Sequence, residues 1–191
     1  MTEKIQKDLY EKELEELLCA ALRQAIRQCN SSVDGTIYSG VVFCDSGYVS
    51  MGVAFNTLEW LEEKKRTDPT APIDYLEVHV AEWKEINYAY PFFKNLNEKI
   101  EELLELAYDS NFDSQDLTEV FIKVVTRAIE RVNFPEIVDT KYKERLLLGM
   151  QFSDPSIDDW WAVLEVSKVV NTDLWHQKVA SVASGEVGQE L

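Results

Sequence analysis

From residue 2 to residue 29, apolar side chains recur at spacings of three and four: Ile5, Leu9, Leu14, Leu18, Leu22, Ala25, Ile26 and Cys29. This is one stripe of an amphipathic helix whose other face carries Glu and Lys, then Arg and Gln. Arg23 and Arg27 suit its negative end, and Asn30-Ser31-Ser32 with Asp34-Gly35 stops it. The period then changes. Residues 37–43 and 48–55 are β-branched and aromatic runs around the turn Cys44-Asp45-Ser46-Gly47, which predicts a β-hairpin. Asn56-Thr57 follows, placed to cap a helix over 58–65.

Beyond the loop 67–72, Leu76, Val78 and Val80 alternate with Glu77 and His79, which predicts a half-buried strand. Ala81-Glu82-Trp83-Lys84 reads as a corner, and Tyr88, Tyr90, Phe92 and Phe93 as an aromatic cluster. Two amphipathic helices are expected next. Phe93, Leu96, Ile100, Leu103 and Ala107 mark the first; Leu117, Val120, Phe121, Val124, Val125, Ala128 and Ile129 mark the second. Asp113 or Ser114 caps the second, and Pro135 stops it. Residues 145–152 predict a further strand, in which Leu146, Leu148, Met150 and Phe152 alternate with Leu147, Gly149 and Gln151. The segment 157–170 fits strand or helix by its apolar positions. Ser156 three residues before Asp159 is an N-terminal capping pattern and favours helix. After Ala180, small polar residues predict a flexible tail over 181–191, leaving one domain over 1–180. The expected fold class is α+β: a small, mainly antiparallel sheet (the hairpin plus two further strands) packed against several amphipathic helices.

Composition sharpens this. A chain of 191 residues with 46% hydrophobic residues suits one domain with a sizeable core. No apolar run reaches the roughly 20 residues of a membrane helix, and the N-terminus is too charged for a signal peptide, so a cytoplasmic protein is expected. Three cysteines without a CxxC pair fit a reducing compartment. The 35 acidic against 19 basic residues give a net charge of −16, which argues against nucleic acid and against an anionic membrane surface. Either the charge serves solubility or it meets a basic partner.

Catalytic and cofactor motifs are missing. His79, with Glu82 close behind, is the one place to draw a histidine–carboxylate base or a weak metal site, but H-x-x-E lacks the second histidine of a zinc helix. A solvent-facing strand histidine is the plainer account. Cys44 beside Asp45 has no neighbouring histidine to activate it. Asp154, Asp158 and Asp159 lack the spacing of a calcium loop, and helix capping explains Asp158 or Asp159 more simply. No catalytic residue, metal or cofactor is therefore assigned. Adjacent Trp160 and Trp161 must diverge, so one of them is a candidate contact residue; Trp160 is taken as that one. The densest feature is acidic: Glu101, Glu102, Glu105, Asp109 and Asp116 lie opposite the apolar stripes, with Lys99 the lone base from 98 to 119. These residues read either as a solvated face or as the contact surface for a basic protein.

The hairpin ending in Asn56-Thr57, the Ala81-Glu82-Trp83 corner, a strand ending at Asp154, and Ser167 through Asn171 form an ordered set. In that set the chain, over roughly 9–172, resembles DUF4303, a family of bacterial proteins without an assigned activity. His79-Val80 departs from the Trp-Ser-like pair usual before the corner, so no role is carried over there. In size and acidity such chains resemble immunity proteins that neutralise bacterial toxins. The expected function is a non-enzymatic acidic binding protein, with an enzyme using His79 and Glu82, or an adaptor subunit, as alternatives.

Overall fold

The computed structural model describes residues 3–83, 90–109, 114–134 and 146–187. The long first helix, α1 (Glu3–Ser32), leads into strand β1 (Ile37–Cys44), a single 3-10 turn at Ser46–Tyr48, and strand β2 (Met51–Thr57). Helices α2 (Leu58–Thr67), α3 (Ile73–Val78), α4 (Lys94–Asp109) and α5 (Ser114–Val132) follow. Strand β3 (Leu147–Phe152) and helices α6 (Ile157–Val170) and α7 (Asp173–Val187) complete the described chain.

The sheet has three strands in the order β2-β1-β3. The hairpin is antiparallel, with Cys44 opposite Met51 and Gly40 opposite Phe55. β3 joins the other edge of β1 in parallel, from Ser39 beside Leu147 to Cys44 beside Phe152. The α+β class stands, but the sheet is mixed rather than mainly antiparallel. Every residue of the three strands is buried, so helices cover both faces.

The predicted strand at 76–80 is instead α3 followed by a 3-10 turn at Val80–Glu82. Its physical reason lies in burial. Leu76, Val78, His79 and Val80 are all buried, so an alternating pattern arose in a segment enclosed on more than one side. Short enclosed runs do not distinguish helix from strand. The expected tail is also corrected: α7 continues to Val187, with Val179, Val182 and Ala183 packed into the core.

The main core joins α1, α5 and α6 to the sheet, and Leu103 and Val125 are buried in it, as the periodicity predicts. Helices α1 and α5 run parallel. Glu11 meets Lys123 (3.4 Å) and Arg127 (3.5 Å), Glu15 meets Arg131 (2.5 Å), and Arg23 donates to the Arg131 carbonyl (3.2 Å). Both carboxylates are largely buried, which places the ion pairs along the seam of the core. A second, smaller cluster of Tyr38, Leu61 and Leu76 lies apart from the main core, with Trp60 and Trp175 against it.

Both outer strands are braced in the same way. On β2, Asn97 of α4 accepts from the Met51 N–H (2.8 Å) and donates to the Met51 carbonyl (3.1 Å). On β3, Asn171 accepts from the Leu148 N–H (2.9 Å) and donates to its carbonyl (2.7 Å). A primary amide carries the donor and acceptor of a peptide group, so each asparagine stands in for one residue of a missing strand.

Candidate functional site

The parallel pairing of β1 with β3 brings two chain reversals together. The Ser153 N–H donates to the Cys44 carbonyl (3.1 Å), so the ladder runs to the carboxyl ends of both strands. At the end of β1 the turn is closed by Tyr48 N–H to the Asp45 carbonyl (3.0 Å), Asp45 N–H to the Ser50 carbonyl (3.1 Å), and a Ser50 hydroxyl bond to the Asp45 carboxylate. Gly47 has φ of 78°, which glycine adopts freely. Tyr48 has φ of 61°, which a tyrosine rarely adopts. Packing holds it there: its ring stacks on Phe121 of α5 at 4.4 Å and meets Phe152 edge-on at 5.3 Å. At the end of β3, Ser156 and Asp159 form the expected capping box, and α6 begins.

Between these reversals and the first turn of α5 lies a cleft of about 630 Å³. Gly47, Tyr48, Gln115, Leu117, Thr118, Asp154, Ser156, Asp158, Asp159 and Trp161 line it. Crevices beyond the carboxyl ends of strands, where neighbouring connections diverge, are where open sheets bind ligands, and the volume falls in the range of small-molecule sites. Two helices start at this cleft. Each start attracts anions by about 0.3–1 kcal/mol. Asp116, Asp154, Asp158 and Asp159 reverse that preference, and among the described residues no Lys, Arg or His lines the walls.

The candidate residues from the sequence are dispersed. Glu101, Glu102 and Glu105 stand exposed on α4. Asp109 ends α4, its side chain outside the described residues, and Asp116 is half-buried in the first turn of α5. Lys99, the lone base of that stretch, pairs with Glu102 (2.7 Å) and Glu13 (3.1 Å). The tryptophan assignment is reversed. Trp160 is 2% exposed and packs inward, where the helix turns it toward the sheet, whereas Trp161 is 41% exposed and lines the cleft. His79 is buried, its ring stacked on Tyr75 at 4.6 Å, so it is not a solvent-facing strand histidine. Glu82 is exposed, and only its backbone returns to the His79 carbonyl (3.2 Å), so the two side chains occupy different environments. Cys44 is enclosed, and burial pushes its thiol well up, with Asp45 and Asp159 adding to the effect; it is a poor nucleophile.

The residues of the ordered motif set are mostly braces. Asn56 donates to the Tyr38 hydroxyl (2.9 Å), and Thr57 caps α2 by accepting from Trp60 (3.3 Å). The Trp83 indole donates to the Leu76 carbonyl (3.2 Å). Ser167 accepts from Asn171 (3.1 Å), which holds β3. Asp154 is the motif residue that faces the cleft. The cleft itself was missed; its signals were the Gly47-Tyr48 turn and the Ser156–Asp159 cap, which the sequence does not place side by side.

Burial pushes the phenols of Tyr38 and Tyr48 far above their ordinary range. At Tyr38 the Glu77 carboxylate adds to this and a hydrogen bond with Asn56 opposes it. At Tyr48 an interaction with Thr118 opposes it, while Cys44, Asp159 and Asp158 add to it. The Tyr48–Thr118 contact falls short of full hydrogen-bond geometry. A phenol that holds its proton more tightly when folded stabilises the fold fully below its unfolded pKa of about 10. That stabilisation is lost as pH rises from there through the raised folded value. Stability is therefore expected to decline from about pH 10 upward. Phenolate absorbance should show Tyr38 and Tyr48 ionising only as the chain unfolds, checked with Tyr38→Phe and Tyr48→Phe. Free ionisation of both in the native state would contradict their burial.

A mixed three-stranded sheet between helices, with a cleft at the carboxyl ends of its parallel pair, defines a small α+β domain. The chain belongs to the family described as a domain of unknown function (DUF4303), whose model matches residues 14–160. That span includes all three strands and every cleft residue except Trp161. Neither the curated proteins nor the solved structures contain a match to this chain. Among the described residues, no helix is long and apolar enough to cross a membrane.

Proposed function

We propose that this chain is a non-enzymatic acidic binding protein that recognises a basic protein partner, in the manner of an immunity protein covering the cationic site of a toxin. The observation supporting this is the outer face of α4. Its apolar side, with Leu96, Ile100, Leu103 and Ala107, is used by the core. Its carboxylates Glu101, Glu102 and Glu105 point to solvent, while the nearby cations are already paired: Lys94 with Glu98 (3.7 Å), Lys99 with Glu13 and Glu102. The basic residues Lys123, Arg127 and Arg131 of α5 are likewise paired, to Glu11 and Glu15 of α1. The negative excess therefore faces outward, where it steers a cationic partner over about a Debye length of 8 Å.

The test begins with capture from the source cell and identification of what is retained. Association is then measured with the purified pair. The variant carries Glu101→Lys, Glu102→Lys and Glu105→Lys, with its fold checked by circular dichroism. Steered association is expected to slow at least about tenfold in the variant and to slow with rising salt in the wild type. A folded variant that associates at an unchanged, salt-independent rate would overturn the proposal. A captured partner without a basic surface would do the same.

A further inference from the structure

The cleft gives this acidic protein a place for one particular group. We infer that it is an anchor pocket for a guanidinium, the side chain of an arginine presented by the basic partner. This deepens the proposed function and rests on it.

Three observations converge. First, the walls combine carboxylate and aromatic surfaces. Asp159 is occupied by its capping box, accepting from the Ser156 N–H (2.9 Å) and hydroxyl (2.8 Å). Asp158 makes no hydrogen bond or ion pair with the described residues, and it stands exposed at the cleft beside Asp154. Trp161, on the same helix, offers an indole face. A planar cation that stacks on an aromatic ring and forms paired bonds to carboxylate fits this set better than an ammonium does.

Second, a buried polar group lies in the wall of the cleft. Tyr48 is 6% exposed, lines the cavity, and its hydroxyl has only the imperfect contact with Thr118. The stack on Phe121 and the edge contact with Phe152 hold the ring that carries this hydroxyl in place. A donor-rich guanidinium supplies the hydroxyl with a further partner.

Third, the segments forming the cleft expose apolar side chains that a free small cation does not require. Val49, next to Tyr48, is 61% exposed; Ile157, between Ser156 and Asp158, is 49% exposed; Trp161 adds its indole. An aromatic and aliphatic surround about a polar pocket is the anatomy of a protein-binding hot spot. It favours an arginine carried on a polypeptide over a metabolite.

The probes are N-acetyl-arginine amide, its neutral isostere N-acetyl-citrulline amide, inorganic phosphate, and a short peptide with one central arginine flanked by apolar residues. Binding to the full chain is followed by the indole resonance of Trp161. The arginine amide is expected to shift this resonance and the citrulline amide to leave it unmoved. Asp158→Asn is expected to weaken the arginine amide about tenfold, the loss of one charge-assisted bond. Trp161→Ala, read by the Tyr48 and Thr118 resonances, should weaken it further. The peptide should bind at least about tenfold more tightly than the amide if the apolar surround is part of the site. A response to phosphate and not to arginine would overturn the inference in favour of an anion site at the two helix starts. Equal affinity for peptide and amide would overturn the protein source of the arginine. Asp158 is exposed and Trp161 is only partly covered, so circular dichroism is expected to show both variants folded like the wild type. If these variants leave capture of the basic partner intact while α4 charge reversal abolishes it, the pocket fails and the acidic-face proposal survives. If charge reversal has no effect while Asp158→Asn weakens the arginine amide, the pocket holds and the proposed role of α4 fails.

Discussion

Phe121→Ala is expected to destabilise the protein by about 3–5 kcal/mol, read as a fall in denaturant midpoint. Phe121 is fully buried at the point where α5 meets the hairpin turn. Its ring lies almost parallel to that of Tyr48, with 6° between their planes. Removing it loses the transfer energy of a large ring and leaves a cavity that neighbouring strands and helices cannot close. It also frees Tyr48 from the contact that keeps its backbone left-handed, at a conformational cost of order 1–3 kcal/mol. The turn should relax, and the cleft wall with it. Phe121→Leu keeps much of the volume and should recover more than half of the loss. A cost below about 1 kcal/mol for Phe121→Ala would show that the turn does not depend on this stack.

Asn171→Ala should cost about 2–4 kcal/mol, because it strands the Leu148 N–H and carbonyl together at a half-buried edge. Asn171→Asp separates the two halves of that contribution. The carboxylate still accepts from the Leu148 N–H but turns an acceptor toward the Leu148 carbonyl, so most of the loss should persist. Equal stability of the Asp variant and wild type would show that the amide donor is immaterial. Asn97→Ala tests the same device at Met51. The two braces sit on opposite edges and share no partner, so their costs should add within about 0.5 kcal/mol. Amide exchange at Leu148 and Met51 should quicken in the corresponding variants.

These residues also mark where sequence reasoning carries and where it stops. Helices α1, α4 and α5 were legible because each has an apolar face of one clear period, the hairpin because two β-branched and aromatic runs flank a turn containing Asp and Gly, and the Ser156–Asp159 pair resolved α6 as helix. Residues 76–80 defeated the same logic because an enclosed segment has no solvent side to set a period. Trp160 and Trp161 were known to diverge, but which one points inward depends on where β3 lies under α6. The cleft depends on Cys44 lying beside Phe152, a parallel pairing between distant segments that no local pattern encodes. The roles of Asn97 and Asn171 were hidden for a related reason: an asparagine brace is defined by the backbone it faces.

The parallel seam of α1 with α5 has a consequence for how the chain is made. Cys19 and Ala128 are 109 residues apart, and Glu11 and Arg127 are 116 apart. At a ribosomal rate of ~5–20 residues per second, α1 leaves the ribosome about 5–20 s before its main partner does. During that interval its leucine stripe lacks its main mate, and β1 likewise lacks β3. Non-local closure of this kind is slow relative to helix formation. A nascent chain cut short before α5 therefore presents the surface that chaperones bind, and the stretch from α5 onward decides whether the first helix stays soluble.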